Sequence, residues 1–168
     1  GLQPKTTARY IQEELEDWQR LAVKAHFDGR RPWMPYHEFF TERTARLVGA
    51  KPIEVVNMNS LTVNLHLMMM SFYRPTRERY KIVIERTAFP SDRYAVMSQL
   101  RLHGLDPDEA LIELSPHKDS ALISSEEIET LLASEGGRIA LLLLPGVQYY
   151  SGQVFDMARL TRAGHAQG

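Results

Sequence analysis

Six consecutive apolar residues, Ile139-Ala140-Leu141-Leu142-Leu143-Leu144, constrain this chain more than any other feature. A run without polar alternation suits a strand buried on both faces, and such a strand needs a covering layer above and below its sheet. Further short apolar runs recur upstream at Ile53 to Met58, Tyr80 to Glu85 and Leu111 to Leu114. Between them lie segments that read as helices: 61–72, the stretch from the Phe89-Pro90-Ser91-Asp92 junction to about 103, the stretch after Ser124, and 156–163. This alternation predicts an α/β layer structure, a mostly parallel sheet with helices on both sides.

Two helices are expected before the first strand. Tyr10, Ile11, Leu15, Trp18, Leu21 and Ala22 recur at three- and four-residue steps, the stripe of an amphipathic helix over about 7–27. A proline-containing loop follows at 30–36. Phe39, Phe40, Leu47 and Val48 then mark a second helix, closed by Gly49. Residues 1–50 are therefore read as a helical segment with a loop, and 51–168 as the first part of an α/β domain. The helix over 61–72 is apolar around most of its circumference and is expected to be buried. Ser124-Ser125-Glu126-Glu127 has the spacing of a capping box.

Composition narrows the function. With 20 basic against 21 acidic side chains there is no electrostatic footprint for nucleic acid or anionic lipid. No apolar run approaches the ~20 residues that span a bilayer. Cysteine is absent, which excludes disulfides and thiolate metal sites and is compatible with the cytoplasm. The histidines show no metal-binding spacing, and no Ser/His/Asp set or glycine-rich nucleotide loop appears. A small molecule is the expected partner.

Two junctions carry the chemistry. At Asn59-Ser60-Leu61-Thr62 a polar turn enters an apolar helix, where amide hydrogens without intrahelical acceptors and the helix dipole favour an anion. Ser60 or Thr62 acting as a simple helix cap is the competing account. At Phe89-Pro90-Ser91-Asp92 an aromatic ring and a carboxylate follow a strand. Phe89 could stack on a planar ligand or pack into the core, and Asp92 could serve a ligand or only the helix N-terminus. In parallel α/β sheets ligands collect at the carboxyl ends of strands, where both junctions fall.

The words Gly1-Leu2-Gln3-Pro4-Lys5, Gly29-Arg30-Arg31-Pro32-Trp33, Leu61-Thr62-Val63-Asn64-Leu65-His66, Phe89-Pro90-Ser91-Asp92, Ser98-Gln99-Leu100, His103-Gly104-Leu105 and Tyr150-Ser151-Gly152-Gln153 occur in order along nearly the whole chain. In sequence and spacing they resemble the kynureninase family. The resemblance implies the aminotransferase-like fold of pyridoxal-phosphate enzymes, a cytoplasmic homodimer, and hydrolytic cleavage of kynurenine or 3-hydroxykynurenine in tryptophan breakdown. It further implies phosphate contacts at Leu61 and Thr62, ring stacking at Phe89, support of the ring's polar edge by Asp92, with Pro90 and Ser91 shaping the turn, and a substrate pocket lined by His26 and Met34.

One departure stands out: Pro145 precedes Gly146 where a form of the family has serine, so position 145 offers neither hydroxyl nor amide. None of Lys5, Lys24, Lys51, Lys81 and Lys118 sits where the family places its Schiff-base lysine. That lysine is expected beyond Gly168, and this segment alone is expected to be inactive. Another pyridoxal-phosphate enzyme of the same fold, a cysteine desulfurase or aminotransferase, and a non-catalytic scaffold domain are the alternatives.

Overall fold

The computed structural model describes residues 2–117 and 120–168; Gly1 of the first word and Lys118 of the lysine set lie outside them. The chain divides into two compact units, Gly1–Asn59 and Ser60–Gly168.

The first unit is helical. Helix α1 spans Thr7–Leu21, and its expected continuation to 27 is replaced by a tighter 3-10 turn over Ala22–His26. Ala22 takes φ 47°, an uncommon backbone for a residue with a Cβ. The loop that follows folds back on α1: Arg31 reaches Glu13 and Glu14, and the Trp33 indole donates to Glu14 at 3.1 Å. The Trp33 amide then bonds the Ala25 carbonyl, so long-range contacts hold the irregular turn. Helix α2, Thr41–Val48, ends at Gly49 in the left-handed conformation, as its sequence requires.

The expected strand at Ile53 to Met58 does not form. Pro52–Glu54 is a 3-10 turn, closed by the Glu54 carboxylate accepting from the Lys51 amide at 2.8 Å. A strand exists only where a neighbour meets its backbone groups, and no partner strand adjoins this run among the described residues.

The second unit is the α/β layer structure. After α3 (Leu61–Phe72) come β1 (Lys81–Glu85), α4 (Pro90–Leu102), α5 (Pro107–Ala110), β2 (Leu111–Leu114), α6 (Ser125–Glu135), β3 (Ile139–Leu142) and α7 (Met157–His165). The three strands are parallel in the order β2-β1-β3. Strand alternation splits the core: Ile82 and Ile84 pack with Met69, Val96 and Leu100 of α3 and α4, whereas Val83 packs with Ile128, Leu132 and Leu160 of α6 and α7. The crossover from β1 to β2 thus uses one face, and the return from β2 to β3 uses the other, which gives both the same hand.

Two burial expectations need correction. Strand β3 stops at Leu142 and is only partly buried beyond Ile139, because it is an outer strand of the three. Helix α3 buries Met69 alone, while Leu61, Val63, Leu67, Met68, Met70 and Phe72 stay exposed. Its apolar circumference exceeds what the α4 side and β1 can cover.

Candidate functional site at the carboxyl ends of two strands

Helices α4 and α7, which follow the adjacent parallel strands β1 and β3, lie on opposite faces of the sheet. The chain therefore parts above the carboxyl ends of these strands, and a crevice opens there. It is a cavity of about 370 Å³, walled by Leu61 and Leu65 of α3, Ile84 and Glu85 of β1, Ala88, Phe89 and Asp92 at the start of α4, and the segment after β3. That volume suits a small organic ligand, and the lining is chiefly apolar with a few polar groups.

On the α3 side, Asn59 adopts φ 51° and Ser60 caps the helix, its hydroxyl accepting from the Val63 amide at 3.4 Å. The Asn64 amide takes the Ser60 carbonyl at 3.0 Å. The capping account of Ser60 is thus correct, and it leaves the two amides before Val63, those of Leu61 and Thr62, without an intrahelical acceptor. Leu61 lines the cavity; Thr62 follows it in the same turn but is not part of the wall.

On the α4 side, Phe89 occupies the N-cap position with extended backbone and Pro90 opens the helix, where a missing N–H costs nothing. Phe89 is 49% exposed, so it is not core. Its ring meets Tyr149 edge to face, centroids 5.1 Å apart, and the two form one aromatic wall. Ser91 donates its hydroxyl to Asp92 Oδ1 at 3.1 Å, which orients the carboxylate. The first-turn position of Asp92 also suits the helix dipole, so the structural and ligand-facing roles coincide in this residue.

The wall beyond β3 is organised by Gln148, which is buried. Its carbonyl oxygen accepts from the amides of Tyr150 and Ser151, both at 2.6 Å, and its amide donates to the Thr87 carbonyl at 3.0 Å. This pins the tyrosine loop to the β1–α4 junction. Tyr149 faces the cavity, while Tyr150 is 84% exposed and not among its lining residues.

In the first unit, His26 and Met34 are held together by the Met34 amide donating to the His26 carbonyl at 2.9 Å. The His26 ring sits edge-on to Trp33 with centroids 5.2 Å apart. Trp33 buttresses this loop, with its indole N–H committed to Glu14. Both His26 and Met34 are exposed.

Over all 168 residues the chain is 61% identical to a protein named kynureninase from Koribacter versatilis (strain Ellin345), 57% to one from Myxococcus xanthus (strain DK1622), and 54% to one from Salinispora tropica (strain ATCC BAA-916 / DSM 44818 / JCM 13857 / NBRC 105044 / CNB-440). The chain is similar throughout its length to these kynureninases. It spans 39–40% of the length of these curated relatives, and all of it is covered in each comparison. No family model matches the chain.

Of the residues that the kynureninase resemblance singles out, the structure gathers Leu61, Phe89 and Asp92 on one cavity, with Thr62, Pro90 and Ser91 in the adjoining turns. Pro145 lines the cavity too, and without an N–H it can contribute only its ring and carbonyl. Two polar residues escaped sequence reasoning, Gln148 and Glu85. The signal for Glu85 was there: a carboxylate ending the otherwise apolar Ile82-Val83-Ile84. Burial raises its pKa above the ordinary value, helped by the neighbouring Asp92 and opposed by the facing Gln148 amide. Among the described residues no acidic or histidine cluster could hold a metal ion, and no helix is long and apolar enough to cross a membrane.

The cavity fits the cofactor expected of a kynureninase. It combines the helix start at Leu61, whose amide has no intrahelical acceptor, with a half-exposed aromatic ring and a buried carboxyl oxygen, Glu85 Oε2, that has no hydrogen-bond partner among the described residues. Leaving such an atom unpaired costs about 1–3 kcal/mol, so a site that receives a polar ligand edge accounts for it.

Proposed function

We propose that the protein carrying this segment is a pyridoxal-phosphate-dependent hydrolase that cleaves the bond between the β- and γ-carbons of L-kynurenine or its 3-hydroxy form. The products are anthranilate or 3-hydroxyanthranilate and L-alanine. The full-length similarity of this segment to proteins named kynureninase supports the reading. The observation that carries it is the single cavity shared by Leu61, Phe89 and Asp92.

Leu61 and Thr62 would hold the phosphate with the first amides of α3, Phe89 would lie against the ring, and Asp92, fixed by Ser91, would support the ring's polar edge. Pro90 sets the direction of that turn. His26 and Met34 would shape the substrate pocket. When bound, the cofactor supplies an electron sink for the substrate's α-carbon. These residues orient the reacting groups, and positioning of that kind contributes a large share of rate enhancement. Residues 51–168 would be the first part of the cofactor-binding domain and 1–50 a helical segment with the pocket loop. The complete protein would work as a cytoplasmic homodimer.

The test is titration of the full-length protein with pyridoxal phosphate, followed by L-kynurenine. A new visible absorption band and the release of fluorescent anthranilate with alanine are expected; neither appearing would remove the assignment. Phe89→Ala is expected to weaken cofactor binding roughly tenfold, from loss of a stacking contact worth about 1 kcal/mol and of buried area.

A further inference from the structure

The role of Glu85 is not covered by that reading. It closes β1, the middle strand, and is 2% exposed, yet it lines the cavity beside Phe89 and Asp92. Native proteins rarely leave a buried carboxyl oxygen unmet, so the unpartnered Oε2 marks a place where something binds. The surroundings within this unit do not supply the partner. Leu114 is its neighbour on β2, and Leu143 and Leu144 bring only apolar side chains to the cavity. Pro145 has no N–H. The Gln148 amide acts on the carboxyl group as a whole and also donates to the Thr87 carbonyl at 3.0 Å, yet Oε2 itself is left without a partner among the described residues.

We propose that Glu85 is a further binding residue of this cavity, its Oε2 making a hydrogen bond to an acceptor atom on the edge of a flat ring that lies against Phe89. The inference rests on the pyridoxal-phosphate reading of the cavity and deepens it. A neutral carboxyl has one O–H to donate, and burial, opposed by the Gln148 amide and helped by Asp92, raises the Glu85 pKa and so favours that form relative to an ordinary carboxylate. The titratable groups that line the cavity with Glu85 are Asp92 from α4 and Tyr149 from the loop after β3; from α3, Leu61 and Leu65 line it. Ionisation of Glu85 would replace its donor with negative charge and disfavour a phosphorylated, anionic ligand. Glutamine keeps a donor at this place at every pH; leucine keeps none.

The experiment titrates the full-length wild-type protein, Glu85→Gln and Glu85→Leu with pyridoxal phosphate over a pH series, reading the visible absorption band and quenching of tryptophan fluorescence. Glu85→Gln is expected to bind within about twofold of wild type, and Glu85→Leu roughly tenfold more weakly with a displaced band. Wild-type affinity should fall as pH rises through the Glu85 titration, while that of Glu85→Gln stays level. Equal binding by the wild type and both variants would overturn the role of Glu85 and leave the cofactor reading standing. So would a Glu85→Leu protein that melts earlier but binds with unchanged affinity, since that is a purely structural role. A Glu85→Gln protein impaired as strongly as Glu85→Leu would overturn the neutral donor. A wild-type protein that takes up no pyridoxal phosphate would overturn the cofactor reading and this inference with it.

Discussion

Asp17 shows how one side chain can redirect a chain. It is buried, accepts from the Arg30 amide at 2.8 Å and from the Arg20 guanidinium at 3.1 Å, and thereby ties the loop after α1 back onto the helix. Gly29 permits this approach: it has φ 112°, and a Cβ there would come within 3.0 Å of Asp17 Oδ2. The hydrogen bond from the Arg30 amide, then that from Arg20, holds the Asp17 carboxyl below its ordinary value of 3.8. Its stabilisation is therefore full above that ordinary value and is lost as pH falls through the lower, folded-state value. Asp17→Asn is expected to be less stable than wild type near neutrality, with the gap narrowing in acid below the ordinary carboxylate value. Urea midpoints measured down that pH range check this, and a gap that does not change with pH would contradict it. Asp17 could not be picked out as an anchor from the letters, because its partner, the Arg30 amide, lies thirteen residues away and no spacing rule connects them.

Legibility among the elements depended on whether their signals were local. The capping box formed as its spacing demands: the Ser124 hydroxyl accepts from the Glu127 amide at 3.1 Å, and the Glu127 carboxylate accepts from the Ser124 amide at 2.9 Å. Ser124→Ala is expected to destabilise the chain by about 1 kcal/mol, measured by urea unfolding, with α6 fraying first in amide exchange. An unchanged midpoint would show that α6 is held by packing of Ile128 and Leu132 alone. The Leu111–Leu114 strand and the α2 stop at Gly49 were equally local and equally readable. Ile53 to Met58 had strand-like letters and no strand to pair with among the described residues, so its letters could not decide its state. The end of α1 at Leu21 failed for the converse reason: the stripe runs on, while the returning loop imposes a 3-10 turn.

For the whole molecule, the exposed apolar surface of α3 is the feature with the plainest consequence. Phe72 is 74% exposed and Met70 55%, on a helix that has almost no polar face. Contiguous apolar surface of this kind binds apolar probes and promotes association. The isolated 168-residue chain is expected to bind an apolar fluorescent dye, and the double change Met70→Gln with Phe72→Asn is expected to reduce that binding markedly with little change in the unfolding midpoint. Equal dye binding by both forms would place the exposed surface elsewhere. The alternation of apolar runs and helical stripes, local in the chain and set by side-chain period, was enough to specify a parallel sheet covered on both faces, to start a helix at Leu61 and to put Phe89 at a strand-to-helix junction. Their convergence on one cavity, and the inclusion of Glu85 in it, depended on which strands became neighbours, with α4 and α7 leaving β1 and β3 on opposite faces. Hydrogen-bond pairing between residues 58 or 59 positions apart controls that arrangement, and pairing at such distance leaves no periodic trace in the letters.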